Sequence, residues 1–421
     1  MSRQPLSLYI HIPFCSLKCS YCDFNSYAGL EELVEPYVDA LIAEMGLWSR
    51  FARGRPVATV FFGGGTPSLL PLPEVERVTS ALRERFELQA EAEVTLEANP
   101  GTVDLDYLRG LLALGVNRLS LGVQSFHDDE LAALDRIHSV TEAEEAYRWA
   151  RAAGFQRVNL DLIYGLPEQP FDSAQDRPFD SAQDRPFDSA QDRPMERWQA
   201  SLERAIELGP DHMSLYALTV EEGTKLAYDI HHGRAPEPDG DAQAAMYEWA
   251  QERMAEAGYR QYEISNWARP EQECRHNLVY WRNGDWLGLG AGAHSHLGGA
   301  RFAAVYSPKQ YVSRMRQAGS QPRESSDLRS LLRAMPQVTC VEEPSPELAR
   351  ADTLIMGLRL NEGVSLAEFQ RRFGPSGEDA YAPVFAELIS LGLLERADGR
   401  LRLTSRGRLL ASEVFTRLLP E

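Results

Sequence analysis

Six strand-like runs, each followed by a stretch with helical character, constrain this chain more than any other feature. The runs are LSLYIHIPF (6–14), VATVFFG (57–63), AEVTLEAN (92–99), RLSLGVQS (118–125), RVNLDLIYG (157–165) and HMSLYALT (212–219). Between them, stretches such as EPYVDALIAEMGLWSRF and PEVERVTSALRERF place apolar residues at helical spacing. Parallel strands need crossover helices, so this alternation predicts a parallel sheet. Six units fall short of the eight that close a TIM barrel. The expected fold is α/β, a partial (β/α)6 TIM-like barrel over residues 1–240.

One stretch breaks the pattern. From Pro170 to Arg193 the octapeptide PFDSAQDR occurs three times without a mismatch. An insertion of Pro, Asp, Ser and Gln cannot bury a core, and so short a repeat cannot build a solenoid. It reads as an inert duplication in a loop, with a docking tail as the alternative. Residues 241–345 read as a connecting segment that contains HNLVYW (276–281) and the Gly- and His-rich run GAGAHSHLGG. Residues 346–421 read as helices followed by a hairpin at Ala397-Asp398-Gly399, a winged-helix-like α+β domain.

Composition excludes several classes. No run approaches the roughly 18 apolar residues of a membrane span. The start, MSRQPLSLYIHIPF, lacks a signal-peptide pattern, which makes the cytoplasm the expected compartment. Acidic residues outnumber basic ones 62 to 43, a formal charge of −19, which argues against a nucleic-acid partner. The same charge disfavours a DNA-binding role for the winged-helix-like domain.

Of five cysteines, Cys15, Cys19 and Cys22 stand together as C-x₃-C-x₂-C, while Cys274 and Cys340 are isolated. In a reducing compartment a clustered trio reads as metal or cluster ligation. Three thiolates can hold three irons of a [4Fe–4S] cluster and leave the fourth iron open to a small molecule. A structural zinc site would want a fourth protein ligand, which His11 can supply unless it faces the barrel.

Motif positions support one rim. Cys15 follows the first strand, Gly63-Gly64-Gly65-Thr66-Pro67-Ser68 the second, and Glu97-Ala98-Asn99-Pro100 ends the third. Gln124-Ser125 ends the fourth, and Asp161 lies in the fifth, shortly before Gly165-Leu166-Pro167. Barrel active sites are built at the carboxyl ends of strands, so five strands converge on one site. The glycine loop offers close backbone approach and free N–H groups; by itself it can be a tight turn. Glu97 and Asp161 can hydrogen-bond ribose hydroxyls or an amine, or be structural carboxylates. Arg136 can pair with a ligand carboxylate or be an ordinary helix charge.

Together these motifs resemble the radical S-adenosylmethionine (SAM) superfamily. YIHIPFC, GGGTPS, GVQSF, DLIYGLP and the C-terminal domain are similar, more narrowly, to the oxygen-independent coproporphyrinogen III dehydrogenase family. The resemblance spans nearly the whole chain except 170–193. It implies that Cys15, Cys19 and Cys22 ligate a [4Fe–4S] cluster whose free iron is chelated by SAM. It assigns Tyr9, Tyr21, Gly64, Gly65, Thr66 and Glu97 to the SAM pocket. Gln124, Arg136 and Asp161 match a further group around SAM, which in the oxidases helps hold a second SAM.

Two departures bear on the branch. The oxidases carry a further cysteine two residues after the third, where this chain has Phe24. It also has His276-Asn277-Leu278-Val279-Tyr280-Trp281. Both features, with CDFNSY after the third cysteine, resemble HemW, the haem chaperone branch of that family. The resemblance implies that haem is bound and delivered to recipient haem proteins, soluble or membrane-associated.

Neutral imidazole is a common axial ligand of haem iron, and aromatic side chains pack on the macrocycle. His276 with Tyr280 and Trp281 is therefore the expected haem site, with His294 and His296 as alternative ligands. The competing reading of His276 is a buried histidine bonded inside a core. Cys274 can be a thiolate ligand or an ordinary small buried residue. The alternative function is oxidative decarboxylation of coproporphyrinogen III propionates to vinyl groups.

Overall fold

All six strand-like runs are strands, and they lie side by side in chain order. They are β1 (Leu6–Ile12), β2 (Pro56–Gly64), β3 (Glu87–Ala98), β4 (Arg118–Gln124), β5 (Val158–Tyr164) and β6 (His212–Ala217). Each pairs in parallel with the next. The structure is a computed structural model that describes residues 5–166, 193–318 and 327–420. The octapeptide repeat lies, up to residue 192, outside the described residues.

Successive side chains of a strand point to opposite faces, and here the two faces differ sharply. Leu8, Ile10, Val60, Phe62, Leu96, Leu121 and Leu160 join one core with residues of the crossover helices. Those helices include α1 (Val34–Ala52), α2 (Leu72–Arg85) and α3 (Leu105–Ala113). In α1 the buried Tyr37, Leu41, Trp48 and Ala52 recur at helical spacing and face the sheet. The other face carries Ser7, Thr59, Ser120, Asn159, Asp161 and Ser214, which hydrogen-bond across strands. The barrel therefore has an apolar outer wall under the helices and a polar lumen.

Local signals set the helix ends. The helix Val140–Ala153 begins at Ser139, whose side chain accepts from the Glu142 N–H while Glu142 accepts from the Ser139 N–H. It stops at Gly154, left-handed at φ 111°, a conformation that favours glycine.

The sheet does not stop at six strands. The hairpin β7 (Arg260–Glu263) and β8 (Asn266–Ala268) extends it antiparallel beyond β6. On the opposite edge β9 (Trp286–Leu289) pairs in parallel with β1. It is continued by β10 (His294–Leu297), β11 (Ala300–Ala304) and β12 (Val338–Glu342). The resulting twelve-stranded sheet has the order β12-β11-β10-β9-β1-β2-β3-β4-β5-β6-β8-β7. The segment expected to be a connector thus supplies both edges. These strands are only three to five residues long, too short to show a period.

At the C-terminus, helices Pro346–Arg359, Leu366–Phe373 and Ala382–Ser390 pack with a hairpin of Leu394–Ala397 and Arg400–Leu403. The hairpin turns at Asp398 and Gly399, both at positive φ, as tight two-residue hairpin turns require. Leu354, Phe369, Phe385, Leu388 and Leu401 form a separate core there. Backbone bonds tie this unit to the sheet edge: the Asn361 N–H donates to the Tyr262 carbonyl at 3.0 Å. No helix among the described residues is long and apolar enough to cross a membrane.

Candidate functional site

At the carboxyl ends of the strands lies a cavity of about 500 Å³, lined by all three clustered cysteines. Tyr21, Gly64, Gly65, Thr66, Glu97, Gln124, Arg136 and Asp161 share that wall. Of the expected SAM residues, Tyr9 alone is absent from it. Tyr9 lies beneath, stacked on Phe61, with its hydroxyl donating to His11 Nδ1 at 3.0 Å.

The cysteine loop is closed by a short parallel pairing of Phe14–Cys15 with Tyr27–Ala28. Each sulfur has its own polar neighbour: Thr66 donates to Cys15 at 3.6 Å, and Arg136 donates to Cys19 at 3.4 Å. Cys22 lies 4.0 Å from the Ser26 hydroxyl, and burial raises its pKa. Among the described residues no three His, Cys, Asp or Glu side chains gather about one point for a single ion. A polynuclear cluster takes one thiolate per iron, and all three thiols line this one cavity. Phe24, at the position of the oxidases' extra cysteine, also lines the cavity and is 62% exposed.

Backbone geometry explains the glycines. Gly64 sits at φ 118°, and a Cβ there would meet the His11 ring at 2.6 Å. A Cβ on Gly65 would lie 2.6 Å from the Phe14 carbonyl oxygen and 3.0 Å from Cys15 Sγ. Their bare backbone lets the second rim loop lie directly against the cysteine loop. The Gly65 and Thr66 N–H groups donate to the carbonyls of Ile12 and Phe14, which locks the two loops together.

Glu97 accepts from the Gly64 N–H at 3.2 Å. Burial, with Asp161 as the second cause, pushes its carboxyl up to about 8. Burial likewise raises Asp161, whose oxygens accept from Ser120 at 3.0 Å and Asn159 at 2.8 Å. Two carboxyls in one lumen, both held toward the neutral form, suit a ligand that brings donors or positive charge. Gln124 stands at φ 70° at an irregularity in strand pairing, a strained position that aims its side chain at the rim. Arg136 donates to the Gly122 carbonyl at 2.6 Å, and its buried Nε has no partner. That orphan donor, the three thiols on one cavity wall and the bare glycine backbone fit a cluster with a small polar ligand at its open side.

The HNLVYW residues are placed elsewhere. His276 is 0% exposed. Its Nδ1 donates to Thr59 Oγ1 at 2.7 Å, and its Nε2 accepts from the Tyr280 hydroxyl at 2.8 Å. Burial drives its pKa down to about 3. Tyr280 packs edge-on against Trp286, and the Arg359 guanidinium lies 4.4 Å from the Trp281 ring. Iron could reach His276 only if Tyr280 or Thr59 gave up its bond. His296 is buried and donates Nδ1 to the Gly284 carbonyl, whereas His294 is exposed beside Tyr306. Cys274 is buried and donates to Glu93 at 3.6 Å; burial pushes its thiol up to about 12.

Several residues that matter were not singled out in the sequence. Asn25 donates to the carbonyls of Ala291 and Tyr306, both at 3.0 Å, and its own carbonyl accepts from His11 Nε2. It clamps the end of the cysteine loop to the 290–306 segment. Thr59, Ser120 and Asn159 form the lumen network, and period-two alternation along β2, β4 and β5 is the signal that could have found them.

A family model for the radical SAM superfamily matches residues 9–176, and one for the HemN C-terminal domain matches residues 345–410. Heme chaperone HemW of Mycobacterium tuberculosis is 37% identical over 422 residues, covering 100% of this chain and 96% of that protein. Heme chaperone HemW of Escherichia coli is 36% identical over 419 residues, 99% of each. The solved structure of coproporphyrinogen III oxidase (HemN) from Escherichia coli, a radical SAM enzyme, has a TM-score of 0.78 at 25% identity. That match covers 98% of this chain and 90% of HemN. With full-length identity of this order, the chain belongs to the HemW family of radical SAM proteins.

Proposed function

We propose that this protein is a haem chaperone, one that carries a [4Fe–4S] cluster and SAM and hands haem to recipient haem proteins. The observation that carries the reading is its full-length similarity to proteins named heme chaperone HemW, 31–37% identical. Phe24 in place of a further cysteine supports it. In this reading Cys15, Cys19 and Cys22 hold the cluster. Tyr21, Gly64, Gly65, Thr66 and Glu97 receive SAM, with Tyr9 supporting them from below. Gln124, Arg136 and Asp161 complete the wall. A bound cluster and SAM supply one-electron chemistry at this rim. The chain's own contribution is to hold that site: Arg136 brings positive charge to the Cys19 sulfur, and Asn25 fixes the loop. The protein works in the cytoplasm, where its free cysteines stay reduced. Recipients are haem proteins, soluble or membrane-associated.

The likeness to HemN favours coproporphyrinogen III decarboxylation as the second reading. One experiment separates them. Cluster-reconstituted protein is titrated anaerobically with ferric haem, followed by the Soret band, and is assayed in parallel for coproporphyrinogen III turnover. Saturable haem binding, haem transfer to an apo-haem protein and no turnover are expected. Turnover without specific haem binding would replace the chaperone with the enzyme.

A further inference from the structure

The lumen of the barrel holds a chain of polar groups that leads away from the rim. Asp161, in β5, lines the cavity and accepts from the Asn159 amide at 2.8 Å. The Asn159 carbonyl oxygen meets Nδ1 of His212, in β6, at 2.6 Å. Nε2 of His212 meets the hydroxyl of Tyr262, in β7, at 2.9 Å. The Asn277 side chain bonds to that phenol in turn. Asn277 is the second residue of HNLVYW, on the helix Arg275–Trp281. The chain therefore joins the HNLVYW helix to a carboxyl of the cavity wall.

Each link has one direction. An amide oxygen only accepts, so His212 donates from Nδ1, and its unprotonated Nε2 accepts from the Tyr262 hydroxyl. Burial, and then the Arg118 guanidinium, hold His212 well below the ordinary imidazole range, which keeps the ring neutral. Asn277 favours the ionised form of Tyr262, as an N–H donated to the phenolic oxygen does. Every donor from Asn277 onward points toward Asp161. Asn159 and His212 are buried, so these bonds are made within the protein. Donors aligned head to tail in a low dielectric strengthen one another. Burial raises the Asp161 carboxyl, and the Asn159 bond at the end of the chain works against that rise.

The other end can move. His276, next to Asn277, is buried with both ring nitrogens bonded, so haem that binds through it breaks the bond to Thr59 or to Tyr280. The helix has only seven residues, and a shift of His276 draws Asn277 away from Tyr262. That unloads the chain and leaves Asp161 less able to receive the positive charge and hydroxyls of SAM. Resting on the haem-chaperone reading, we propose that Tyr262 and His212 are positioning residues for Asp161 that make haem at HNLVYW and SAM at the rim mutually antagonistic. Each ligand then favours release of the other, by the same factor in both directions.

The test uses the cluster-loaded full-length protein. SAM affinity is measured by anaerobic equilibrium dialysis with and without saturating ferric haem, and haem affinity by the Soret band with and without SAM. Haem weakens SAM binding about fivefold or more, and SAM weakens haem binding by the same factor. Tyr262→Phe, which removes one hydroxyl, brings both ratios to one while iron and sulfide per chain stay at the wild-type level. Asn277→Leu brings them to one from the far end. A merely structural role would lower the affinities and leave their ratios. Thr59→Val loosens the same helix without touching the chain and keeps the wild-type ratios. Unchanged or tightened SAM binding in the haem-loaded wild type would overturn the coupling while leaving the chaperone reading intact. So would wild-type ratios in Tyr262→Phe or Asn277→Leu, or ratios of one in Thr59→Val. Failure of the wild-type protein to bind haem or SAM at all would overturn both.

Discussion

Arg136 lies with one guanidinium nitrogen 3.4 Å from the sulfur of Cys19, and the other held at 2.6 Å by the Gly122 carbonyl. The carbonyl comes from β4 and the sulfur from the loop after β1, so one half-buried side chain spans the rim. A hydrogen bond and a positive charge at a ligating sulfur both favour the reduced, more negative cluster. Arg136→Gln should therefore shift the cluster's reduction potential to more negative values. Redox titration followed by EPR checks this, and an unchanged potential would remove Arg136 from the cluster's surroundings.

Cys19→Ser should abolish the brown cluster absorbance after anaerobic reconstitution. Gly65→Ala should reduce cluster loading for a different reason: its Cβ would press on the Phe14 carbonyl at 2.6 Å and on Cys15 Sγ at 3.0 Å. Iron and sulfide counts per chain read both, and full loading of Cys19→Ser would end the ligand assignment.

Glu97 predicts a pH dependence of stability. Burial pushes its carboxyl up to about 8, well above the ordinary carboxyl range. As pH rises from 4.5 toward 8 the unfolded chain gives up this proton first and binds fewer protons than the folded one. Stability therefore falls across that window and levels off above it. Glu97→Gln removes the effect. Its stability relative to wild type should grow by up to roughly 4 kcal/mol between pH 5 and pH 8.5 in ligand-free protein. Denaturant melts at the two pH values measure it; a constant difference would mean that the carboxyl ionises normally.

Thr59 links Ser7 and His276 across the lumen. Thr59→Val keeps the shape but leaves the His276 Nδ1–H buried without an acceptor, at a cost of about 1–3 kcal/mol. Urea unfolding should show this loss while cluster loading stays at the wild-type level. A loss of loading as large as that of Cys19→Ser would show that His276 acts on the site and not only on the core.

The βα alternation, the cysteine spacing and the rim motifs were all legible without coordinates. The outer faces of β1–β6 are long apolar runs, and strands buried under helices have little choice but to be so. Short strands were not legible. Trp286–Leu289 extends the parallel sheet only because β1 offers an open edge beside it, a fact that no four-residue pattern encodes.

The aromatic motif shows the same divide. HNLVYW supplies a histidine with two aromatic neighbours, expected as a haem site, with packing in a core as the competing reading. Tertiary structure places that histidine against Thr59, 217 residues away, and closes both of its nitrogens. HHGR at 231–234 carries no periodic or motif signal, yet the fold leaves His232 exposed with its tautomer set by a backbone carbonyl. Residue types and spacings along one strand or loop determine which chemistry is present. Which groups face solvent, and which are already hydrogen-bonded, depends on partners distant in the chain, and only the packed barrel decides that.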